Sequence, residues 1–120
     1  MHYQWDFGLL WRYAPLFWSG VLVTLAYTGV TIAIGLLIGL VVGLGRLAKS
    51  WLLNLPLIAF IEVFRCTPVL VQIVWFYYAL PVLLGVQIPA VVAGIMTLSC
   101  YTGAFYAEIF RGGIISIEQG

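Results

Sequence analysis

Residues 66–107 read CTPVLVQIVWFYYALPVLLGVQIPAVVAGIMTLSCYTGAFYA, 42 residues without an acidic or basic side chain. A helix needs about 20 consecutive apolar residues to cross roughly 30 Å of hydrocarbon, so this run has room for two crossings. A second uncharged run, Tyr13 to Gly45, has room for one. The chain reads as all-α, a polytopic membrane helical bundle with three transmembrane helices. Composition agrees: of 120 residues 64% are hydrophobic and only 8% charged, against about 25% charged in a soluble domain.

Other classes are excluded on similar grounds. A net charge of +1 offers no electrostatic footprint for nucleic acid. Met1 to Phe7 lacks a basic leader region, and the apolar run behind it exceeds a secretory core, so the first helix is expected to be retained. Cys66 and Cys100 form no CxxC pair and His2 is the single histidine, which supports neither a disulfide framework nor a zinc site. Both thiols read as small buried apolar residues.

The first helix is expected over about 17–44. Gly35, Gly39 and Gly43 recur in it at four-residue spacing and stack on one face. Either they admit a second helix at close range, or they reflect the general abundance of glycine in membrane helices. A basic connection over 46–65 follows, with Arg46, Lys49 and Arg65 against Glu62. Its apolar middle, Trp51 to Ile61, is about half a span long and interrupted by Pro56, so it is expected to be interfacial or re-entrant. The long run then divides at Pro81 to Pro89, where two prolines and Gly85 mark a turn between helices near 68–80 and 90–107.

Basic residues set the orientation. Arg12 stands alone on one side, whereas Arg46, Lys49, Arg65 and Arg111 share the other, which is expected to be cytoplasmic. The N-terminus is then outside and Gly120 inside. Trp5, Trp11, Tyr13 and Trp18 cluster at the outer end of the first helix, as an interfacial anchor or as a stacking surface for a ligand.

Neutral polar residues inside the spans need partners and tend to face the bundle interior or a wet cavity. On the third helix Thr97, Tyr101 and Glu108 share one face, and Ser99, Thr102 and Tyr106 share roughly the opposite one. Such a helix is expected to pack centrally. On the second, Thr67 and Tyr78 line up, and Gln72 sits beside Trp75 and Phe76. Gln72 has donors and acceptors to hold a zwitterionic or amide-bearing solute, or to join two helices for about 1 kcal/mol. No nucleophile with a nearby histidine, carboxylate pair within a span or phosphate loop is present, so the chain is not read as an enzyme. Glu108 and Arg111, three apart, suit a helix-end ion pair.

Two stretches carry a resemblance: EVFRCTPVLVQ at Glu62 to Gln72 and YTGAFYAEIFRGGIISIEQG at Tyr101 to Gly120. In this order and spacing they resemble the permease subunits of bacterial ABC importers for polar amino acids, the group of histidine, glutamine and glutamate transporters. The resemblance implies a five-helix permease of the inner membrane, of which three helices are present here. An EAA coupling loop and the last two helices would follow Gly120. It implies a second permease subunit, identical or related, an external solute-binding protein, and cytoplasmic ATPase subunits that carry the ATP and Mg. This chain itself would hold no cofactor, and alternating access would move the amino acid inward. Thr67, Gln72, Ser99, Tyr101 and Thr102 become candidates for the substrate path, while Glu108 and Arg111 would organise the approach to the coupling loop. One departure is Cys66, where the family usually has glycine, so any positive φ there is in question. The alternative reading is a small structural membrane subunit that only binds partner helices.

Overall fold

The computed structural model describes residues 3–119, with side chains through 117. His2 and Gly120, on which parts of the sequence reading fall, lie outside that range. Among the described residues there are helices and no strands.

The short α1, Gly8–Arg12, opens where the Asp6 carboxylate accepts the Gly8 N–H at 3.0 Å. It leads into α2, Ala14–Gly45, with Pro15 in the first turn, where its missing N–H costs nothing. α2 is apolar all round, yet only one stripe of it is buried: Thr31, Gly35, Gly39, Val42 and Gly43. That stripe faces the other long helix, which we number α6, Ala90–Gln119. Both long helices exceed the expected bounds, α2 at its start and α6 at its end. Glu108 and Arg111 do not stop α6, because they pair with each other one turn apart at 3.0 Å.

The register of the two helices is set by close approach. Tyr27 Oη donates to Val91 O at 2.7 Å. A side chain at Gly35 would strike Thr102, and one at Gly103 would come within 2.7 Å of Ile38. A Cβ at Gly39 would lie 2.5 Å from Tyr106 Cβ and 3.1 Å from Gly103 O, and one at Gly43 would lie 3.0 Å from Ala107 O. Partner numbers rise together along both helices. α2 and α6 are therefore parallel, and the chain between them returns along their length.

That return begins with a turn stapled by Asn54, whose amide donates to Ala48 O at 2.6 Å and Ser50 O at 3.0 Å while Oδ1 accepts from Arg46 at 3.1 Å. α3, Trp51–Cys66, then folds under the pair. Its Ile61 is buried with Val42 and Ala107, and Ile38, Leu57 and Phe60 pack around them. Pro56 does not interrupt α3. Lying near the helix start, it forfeits one bond, to Leu52 O, and the helix continues through it. Cys66 is exposed rather than buried, with its thiol donating to Glu62 Oε2 at 3.6 Å, and Cys100 is half-buried. The reading of both thiols as buried fails for Cys66, which is exposed at the end of α3, and holds only in part for Cys100.

At that bend the chain turns by 112° into α4, Val69–Val74, a π-helical turn, Trp75–Ala79, and α5, Leu80–Leu84. Pro81 is not the turn expected from sequence. It has no N–H for Tyr77 O, and its ring crowds that carbonyl; widening the preceding turn to the π form, in which Leu80 N–H reaches Trp75 O, accommodates both. The stop falls at Gly85, which takes φ 68° and lets Val86 N–H close on Pro81 O at 3.1 Å. By length and composition α2 and α6 can each cross a membrane, and the bent pair makes a third crossing if counted as one broken span.

Candidate functional site

α6 is the central element, flanked by α2 on one side and by α3, α4 and the π turn on the other. The five polar residues singled out for a path divide between these two sides. Ser99 and Thr102 face α2: the Ser99 carbonyl and the Thr102 hydroxyl bound the space at Gly35. Thr102 Oγ1 donates into its own helix, to Leu98 O at 2.8 Å with Ser99 O at 3.2 Å. Ser99 is 1% exposed and its hydroxyl has no partner among the described residues. Thr31, also on the α2 stripe, has a buried hydroxyl in the same condition.

Thr67 and Gln72 lie on the other side, in a cleft of about 320 Å³ inside the bend, walled by Val63, Phe64, Val71, Trp75 and Phe76. Gln72 is 5% exposed. Its Nε2 donates to Phe64 O at 3.0 Å and to Thr67 O at 2.9 Å, so both amide hydrogens are spent on the bend. Tyr101 stacks edge-on against Phe105 at 5.0 Å, and the Arg65 guanidinium sits 5.7 Å from the Phe105 ring centre. That contact ties the end of α3 to α6. Thr97, fully buried, donates to Ala93 O at 2.7 Å. Glu108 and Arg111 form their pair beyond this region, near the end of α2.

Among the described residues no group of histidine, cysteine and carboxylate side chains could hold a metal. Sequence reading did not single out Asn54, Phe64 or Phe105. The four-residue step from Phe64 to Pro68 was the available signal for Phe64, since a proline there removes the N–H that its carbonyl would use.

A solved structure described as an amino acid ABC transporter with histidines superposes on this fold with a TM-score of 0.89 at 36% identity, covering 96% of this chain and 53% of that one. The glutamine transport system permease protein GlnP of Escherichia coli K12 is 37% identical over 118 residues, 98% of this chain and 54% of the relative. The chain is homologous to amino-acid ABC transporter permeases. A putative glutamine permease GlnP of Rickettsia bellii, 34% identical over 102 residues, covers 85% of this chain and 47% of its own length. No family model matches. The chain spans about half the length of the permeases it matches.

Within that permease frame the Cys66 departure is resolved locally. Cys66 closes α3 in helical geometry, and among the described residues only Gly85 has a positive φ. The FRCTP elbow makes its bend through the extended residues Thr67, ψ 135°, and Pro68, ψ 138°, which any small side chain at 66 tolerates.

Proposed function

We propose that this chain supplies the first three membrane crossings of an inner-membrane permease that imports a polar amino acid by alternating access. Separate cytoplasmic subunits would bind ATP with Mg and hydrolyse it. A second permease subunit would complete the pathway, and an external binding protein would deliver the solute. The observation that carries this reading is the fold match at 36% identity with a solved amino acid ABC transporter.

The parallel pair supports three crossings. From the level of Val91, beside Tyr27, to Gly45 is eighteen residues of α2, about 27 Å of helix. The chain between Gly45 and Ala90 must recover that height, close to the thickness of hydrocarbon. A re-entrant loop would return it to the side where α2 ends and make α6 antiparallel to α2. The basic residues support an orientation with the N-terminus outside: Arg46 and Lys49 follow the end of α2, Arg65 is beside Phe105, and Arg111 is in the last part of α6.

For the path itself, Thr67 and Tyr101 on the elbow side of α6 are the leading contributors, with neutral polar groups suiting a zwitterion that must also be released. Ser99 and Thr102, turned toward α2, support helix packing, which is the observation favouring the scaffold alternative for those two positions. Glu108 and Arg111 would order the approach to the coupling loop. The test uses the full-length permease in proteoliposomes with its ATPase and binding protein. ATP-dependent accumulation of glutamine, histidine or glutamate is expected, reduced by Thr67→Ala or Tyr101→Ala with assembly intact. Absence of uptake for every polar amino acid would overturn the proposal, and uptake untouched by both substitutions would leave these residues a scaffold role.

A further inference from the structure

Gln72 sits four residues beyond Pro68, and its side chain repairs what that proline removes. In an unbroken helix Phe64 O would accept the N–H of residue 68, but Pro68 has none. Thr67 O would accept the N–H of Val71. Instead Val71 N and Gln72 N both turn back to Pro68 O, at 3.1 Å and 3.3 Å, to start α4. The break strips the carbonyls of residues 64–67 of their helical donors, and two of them, Phe64 O and Thr67 O, lie within reach of the Gln72 side chain. Both face a cleft walled by Val63, Phe64, Val71, Trp75 and Phe76, where a backbone carbonyl left without a donor is costly. The Gln72 amide has two N–H groups and delivers one to each, at 3.0 Å to Phe64 O and 2.9 Å to Thr67 O.

We infer that Gln72 is the pin of the α3–α4 elbow, a positioning residue whose two N–H groups hold the 112° bend as one rigid unit, while its Oε1 is buried without a partner among the described residues. Among the standard side chains glutamine is suited to this: glutamate lacks the two donors, and asparagine is a methylene short of spanning both carbonyls. Arg65, in the same bend, carries the unit onto α6 through Phe105. Since α6 bears the proposed path residue Tyr101, a rigid elbow lets α3 and α6 move together. This inference deepens the transport reading given above, but its readout does not depend on transport.

The test places spin labels at the exposed positions Leu53→Cys and Val82→Cys, one on each arm, in the full-length permease with Cys66 and Cys100 replaced by serine. The parent protein is expected to give one narrow inter-label distance. Gln72→Leu and Gln72→Asn lose it to a broad distribution, and the transport rate falls while the KM for the amino acid stays unchanged. In a Pro68→Ala background, where the backbone can supply the N–H for Phe64 O, Gln72→Leu is expected to broaden the distance less than it does beside Pro68, because the two residues are coupled. A Gln72→Leu protein with the parent's narrow distance overturns the inference. So does a raised KM with an unchanged elbow, which would make Gln72 a solute ligand. Where Gln72→Leu does not reach the membrane, Gln72→Asn and the Pro68→Ala pair decide between the same outcomes. Absence of transport in every variant and in the parent would count against the import proposal and leave the distance result standing.

Discussion

At Gly39 the two long helices come so close that a single added carbon would meet Tyr106 Cβ at 2.5 Å and backbone at 3.1 Å on either side. Neither neighbour has a flexible end that can swing away. Gly39→Ala is therefore expected to destabilise the full-length protein by about 1–3 kcal/mol, the range for overpacking a tight site. Gly29, ten residues earlier on the same helix, has nothing within 4 Å of an added Cβ. Gly29→Ala is expected to be neutral or slightly stabilising, since alanine is the better helix former. Thermal melting of both variants in the same detergent checks the contrast. Equal losses would mean that the stripe at Gly35, Gly39 and Gly43 is not what sets the separation of the helices. Four-residue glycine spacing was legible from the sequence, but which helix faces it was not, because periodicity carries no partner information.

At the level of elements, the uncharged runs were enough to locate α2 and α6 and to divide the long run in two. The point of division differs from the one the prolines suggest. Pro81 looks like a breaker, yet a proline removes one N–H and displaces one carbonyl, and a π turn absorbs both without ending the helix. Gly85 ends it because the chain needs φ 68° there. Pro56 misleads for a related reason, lying too near the start of α3 to break it. The role of Gln72 is hidden in the sequence because donor and acceptors meet only once the elbow is formed. Pro81→Ala is expected to let Trp75–Ala79 relax to α geometry, turning the residues on one side of the relaxed turn by about 100° relative to those on the other. Solvent-quench or cysteine-accessibility profiles along positions 75–84 would follow that rotation. An unchanged profile would mean that Pro81 is not the cause of the π turn.

For the molecule as a whole, the parallel relation of α2 and α6 is the fact from which most else follows. It came from contacts between residues more than sixty apart in sequence, such as Tyr27 with Val91, and no local pattern announces it. It makes the bent pair a return path, gathers the basic residues other than Arg12 toward one end, and leaves α6 between two partners with polar groups on both sides. Many apolar side chains on α2 and α5 are exposed in the chain alone, among them Leu25, Leu37, Val41, Val82 and Leu83, in keeping with lipid or further helices around them. The most direct measurement is the side on which the two connections lie. In the full-length protein in intact cells, Gln87→Cys is expected to react with an impermeant maleimide from outside, and Ser50→Cys only after permeabilisation. Reaction of both positions from the same side would contradict the three-crossing account.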